Sequence, residues 1–112
     1  MKIITKYTNL ESTPAIDVYI EEKIGSLEKF LKPWEVNTEA VARVEIARTT
    51  NHHKRGDVFR AEINLDLPNN LLRATEEDWD VRTAINKTKD KLRQEIKKLA
   101  GKLDSQKSQF KL

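Results

Sequence analysis

Two neighbouring stretches decide the fold: AVARVEIAR (Ala40–Arg48) and VFRAEINLDL (Val58–Leu67). In the first, Ala40, Ala42, Val44 and Ile46 share one face, with Val41, Arg43 and Glu45 on the other. In the second, Phe59, Ala61, Ile63, Leu65 and Leu67 alternate with Arg60, Glu62, Asn64 and Asp66. A period of two with one apolar face is the mark of a half-buried strand of the antiparallel kind. The link between them, TTNHHKRG (Thr49–Gly56), is polar and reads as a hairpin loop.

Outward from this pair the pattern extends in both directions. Pro68, Asn69 and Asn70 form a turn, and Leu71 to Thr75 a short fourth strand. Lys2 to Tyr7 alternates loosely and reads as the first strand. Thr13 before Pro14 starts a helix: the hydroxyl can cap a free N–H, and proline sits where its missing donor is harmless. Ile16, Ile20, Ile24, Leu27 and Leu31 then recur at helical spacing until Pro33 stops the helix, with Trp34 packed just beyond.

A second, longer helix is capped by Asp78 or Asp80 and runs to about Lys102. Its apolar stripe is Val81, Ile85, Leu92, Ile96, Leu99 and Leu103. The predicted order is β-α-β-β-β-α, an α+β fold with both helices packed on one face of a four-stranded sheet. Residues 1–103 form one domain, and 104–112, DSQKSQFKL without periodicity, a flexible tail.

The 112 residues carry a net charge of +3 that is unevenly spread. Residues 1–81 hold 11 Lys/Arg against 15 Asp/Glu, whereas 82–112 hold 10 against 3. Such segregation gives one element a positive field that attracts polyanions. At ~100° per residue the second helix carries its cations on both flanks of the apolar stripe. Lys87, Lys91, Lys98 and Lys102 line one flank; Arg82, Lys89, Arg93 and Lys97 line the other, with Asp90 between the rows. Eight cations projecting from one rod can meet several phosphates of a folded RNA. The face has no aromatic residues, so backbone and shape are read rather than bases.

Other chemistry finds little support. The loop tip His52, His53, Lys54, Arg55 could touch phosphate, but adjacent histidines on an extended chain point apart and no zinc spacing is present. Glu76, Glu77, Asp78 and Asp80 precede a helix, where carboxylates cap and complement the dipole. Gly25, Gly56 and Gly101 lie too far apart for a phosphate loop. Neither an enzyme nor a cofactor or small-molecule substrate is expected. The lack of cysteine suits a reducing compartment. The start MKIITKY lacks a signal peptide's apolar run, and no stretch is long enough to span a membrane. A cytoplasmic location is therefore expected.

Three segments carry a resemblance. TPAIDVYIEEKIGSLEKF (Thr13–Phe30), GDVFRAEINL (Gly56–Leu65) with LRATEED (Leu72–Asp78), and DVRTAINKTKDKL (Asp80–Leu92) follow one another in the expected order. Together they resemble the ribosome hibernation-promoting and ribosome-associated inhibitor proteins in their short form, also labelled sigma-54 modulation proteins. The resemblance implies a fold shaped like double-stranded-RNA-binding domains. It also implies docking in the mRNA and tRNA channel of the small ribosomal subunit, against ribosomal RNA and nearby ribosomal proteins. Translation would be inhibited by occupancy, as part of ribosome hibernation under stress. Lys23 and Lys29 in the first helix and Lys87, Lys91, Lys97 and Lys98 in the second match the family's contact positions. Arg82, Lys89, Arg93 and Lys102 extend that surface by helical geometry alone. Arg82 stands where the family usually has tyrosine, and Lys87 and Lys89 where it is often apolar or acidic. The alternative is a protein-interaction module that modulates transcription or meets another acidic partner.

Overall fold

The computed structural model describes residues 1–49 and 56–110, and for 105–110 the backbone alone. Four strands, β1 (Lys2–Thr8), β2 (Val41–Thr49), β3 (Val58–Leu67) and β4 (Asn70–Asp78), form one sheet in the order β1-β2-β3-β4. Helices α1 (Pro14–Gly25) and α2 (Val81–Phe110) complete the β-α-β-β-β-α order. β2, β3 and β4 are a local antiparallel meander, while β1 lies parallel to β2. Parallel neighbours need a crossover, which α1 supplies.

The decisive alternation holds. Ala42 pairs with Leu65, Val44 with Ile63 and Ile46 with Ala61, all buried on the face beneath the helices. Onto them pack Ile20 and Ile24 from α1 and Ala84, Ile85, Leu92 and Ile96 from α2. The opposite face of the sheet is open and covered by ion pairs. Glu45 accepts from Thr8 at 2.7 Å and Arg60 at 3.3 Å; Glu62 accepts from Arg73 and Asn64, each at 3.1 Å.

Thr13 caps α1 as expected, accepting from the Ile16 N–H at 3.2 Å with Pro14 in the first turn. The helix does not reach Pro33, however. It ends at Gly25, and a 3-10 turn follows at Glu28–Phe30. Glycine is a poor helix former, and the tightened turn still buries Leu27 and Leu31. Trp34 packs beyond it, 7 % exposed.

Two further bounds differ from the sequence reading. β4 runs to Asp78, not Thr75, because Glu76 and Glu77 pair with Ala61 and Arg60 of β3. Capping of α2 falls to Asp80, which accepts from the Thr83 N–H at 3.0 Å. α2 itself passes the expected stop at Lys102 and continues to Phe110. A lone glycine costs a helix only about 1 kcal/mol, and no proline follows Gly101 to end it.

Candidate nucleic-acid interface

The two basic flanks of α2 meet different surroundings. The first lies over β4, whose carboxylates answer it. Lys87 donates to Asp78 at 3.2 Å and to the Glu77 carbonyl at 3.3 Å. Lys91 stands 3.7 Å from Glu76, and Lys98 pairs within the helix with Glu95 at 3.5 Å. The N–H of Asp80 and then the Lys87 ammonium hold the Asp78 carboxyl below its usual value. This flank is a ladder of matched charges. Lys102 is exposed at its far end and has no carboxylate partner among the described residues.

The second flank faces α1, and there the cations rest on aromatic rings. Arg82 lies 5.6 Å from the centre of the Tyr19 ring, and Lys23 of α1 lies 5.5 Å from the same ring. One level along, Arg93 is 5.1 Å from the Phe30 ring and Lys29 is 5.2 Å from it. Cations are drawn to the negative faces of such rings. The Asn86 amide donates to the Tyr19 hydroxyl and ties the helices together. Between the two levels Lys89 is half-buried and paired with Asp90 at 3.1 Å. Lys97 continues the row, exposed and without a carboxylate partner among the described residues.

The eight cations of α2 are thus not one uniform surface. Lys23 of α1, Lys29 of the 3-10 turn rather than of the first helix as expected, and Arg82 and Arg93 of α2 come together in a seam where α1 and that turn meet α2, while Lys87, Lys91 and Lys98 are occupied by carboxylates. The loop residues His52, His53, Lys54 and Arg55 lie outside the described residues. The expectation of no aromatic residues holds for α2's own exposed rows. It misses Tyr19 and Phe30, which the crossing of the helices brings beneath the α2 arginines. The spacing held a partial signal: Tyr19 and Lys23 are four apart on one helix face, and Arg82 and Arg93 eleven apart, close to three turns. Trp79, just before α2, is 54 % exposed. No helix among the described residues is long and apolar enough to cross a membrane.

Comparison with known proteins agrees with this architecture. Residues 3–104 match the family described as sigma 54 modulation protein / S30EA ribosomal protein. The chain is 32 % identical over 96 residues to a ribosome hibernation promotion factor of Staphylococcus aureus, covering 86 % of this chain and 46 % of that protein. One from Deinococcus radiodurans is 29 % identical over 90 residues, covering 80 % of this chain and 44 % of that protein. The chain therefore spans about half the length of these curated relatives. Among solved structures, the N-terminal domain of Thermus thermophilus protein Y superposes with a TM-score of 0.71 at 33 % identity, covering 88 % of this chain and 99 % of that one. A ribosomal subunit interface protein of Coxiella burnetii gives 0.70 at 17 % identity, covering 90 % and 99 %, a likeness of fold. With the match covering residues 3–104, nearly the whole chain, the chain belongs to the sigma 54 modulation protein / S30EA ribosomal protein family.

Proposed function

We propose that this protein docks on the small ribosomal subunit through the α1–α2 seam and silences translation by occupying the mRNA and tRNA channel. No bond is made or broken in this reading, and no cofactor takes part. The observation that carries it is the seam itself: four cations from α1, the 3-10 turn after it and α2, held over Tyr19 and Phe30 on the solvent side of the fold. Family membership supports the ribosome as the source of the phosphates, and the relatives named hibernation promotion factors support the outcome. The docking unit is residues 1–103.

Binding through several phosphates releases counterions, so log K falls linearly with log salt. Co-sedimentation with purified small subunits across a salt series tests the proposal. Tight binding at low salt that fades steeply is expected; no binding at low salt would sink it. The family's description also names sigma 54 modulation, which favours a second reading as a modulator of transcription. Capture of a transcription protein that free ribosomal RNA fails to compete away would select that reading instead.

A further inference from the structure

The seam carries its charge at two levels rather than along a continuous stripe. At the first, Lys23 and Arg82 share the Tyr19 ring; at the second, Lys29 and Arg93 share the Phe30 ring. Between them Lys89 is matched by Asp90. Arg82 and Arg93 are eleven residues apart on one helix, which at 1.5 Å per residue sets them roughly 16 Å apart. We propose that the two levels are paired phosphate subsites whose fixed separation selects double-helical RNA over a flexible single strand. This rests on the RNA-docking reading above and names the form of RNA that the seam takes.

Three observations point the same way. Proteins that track single strands offer a continuous cationic groove with aromatic faces on which bases stack. Here each aromatic ring already carries two cations, and the stretch between the levels is neutralised. Two separated cationic foci instead suit phosphates that the nucleic acid itself holds apart, as on the two sides of the wide, shallow minor groove of an A-form helix. A rigid receptor gains from a rigid ligand, because neither has to be ordered on binding. Finally, the Tyr19 hydroxyl accepts from Asn86, and its own proton has no acceptor among the described residues. It is placed to donate to a phosphate oxygen or to a 2′-hydroxyl, the group that lines the A-form minor groove.

The test compares the full chain's binding to an RNA duplex of ~16 base pairs, about the length that shape-reading domains span, with binding to one of its strands alone, across a salt series. The duplex is expected to bind roughly tenfold more tightly or better, the strand losing what its ordering costs. Arg82→Gln and Arg93→Gln should each lower the slope of log K against log salt by about one, and the double variant should abolish the duplex preference. Arg43→Gln, on the open face of the sheet, should leave it unchanged, and thermal melting checks that every variant is folded. Equal binding of the two RNAs, or a preference that survives the double Arg variant, overturns the inference. The same preparations sedimented with small subunits separate the two claims. Loss of subunit binding in the wild type at low salt defeats the docking proposal itself. Subunit binding without duplex preference defeats only this inference.

Discussion

The hydroxyl of Thr88 sits 3.2 Å from the carbonyl oxygen of Ala61, joining the N-terminal third of α2 to β3. Thr88 is fully buried and is the one polar side chain in the core of the described residues. It also reaches the Ala84 carbonyl at 2.7 Å, one turn back along its own helix. Thr88→Val keeps the shape, removes the donor and leaves no carbonyl bridged. A loss of about 1 kcal/mol is expected, read as a lower urea midpoint with an unchanged slope. An unchanged midpoint would show that this hydrogen bond contributes nothing net.

Leu31 closes the 3-10 turn and is completely buried. Leu31→Ala should cost about 2–5 kcal/mol, the range for emptying a leucine site in a packed core. A cost well below that range would mean the turn and Trp34 collapse into the space.

Glu62 provides an acid-side test. Burial pushes its carboxyl up, yet bonds from Asn64 and Arg73 and the charges of Arg73 and Arg60 outweigh it and hold it below the ordinary 4.5. A depressed folded value means stability present above the unfolded value and lost as pH falls through the folded one. Glu62→Gln should therefore destabilise the protein at pH 7, with the gap to wild type closing as pH falls below 4.5. Denaturant midpoints measured at both ends check this, and a gap that widens in acid would refute it.

The two flanks of α2 separate in a salt titration of subunit binding. Neutralising Arg82 or Arg93 to Gln should each remove about one unit from the salt slope. Lys91→Gln and Lys98→Gln should remove less, since Glu76 and Glu95 already answer those ammoniums. Equal losses from both flanks would extend the interface across the whole exposed side of α2.

What the sequence disclosed follows the reach of each interaction. Alternation in Val58–Leu67 and the Thr13–Pro14 start are local signals, and both hold in the structure. Glu76 and Glu77 misled because a carboxylate before a helix has a local role to offer, while their backbones pair across the sheet with β3. The end of α1 misled because Leu27 and Leu31 stay buried through a 3-10 turn as readily as through an α-helix. The split between the two α2 flanks was beyond reach for the same reason. Helical geometry places Lys91 and Arg93 on their sides, but only the crossing of α2 over β4 and the 3-10 turn after α1 sets a carboxylate under one and Phe30 under the other.

The crossover that makes β1 parallel to β2 also fixes when the seam can exist. Tyr19, Lys23, Lys29 and Phe30 precede the meander in the chain, whereas Arg82, Asn86 and Arg93 follow it. Chains are made and folded from the N-terminus, so one half of each cation pair is synthesised only after the whole sheet. A partly made chain presents lysines beside bare rings and no second wall. Completion of α2 is thus the step that closes the seam, and a product truncated before Arg82 would carry only the Lys23 and Lys29 half of each cation pair.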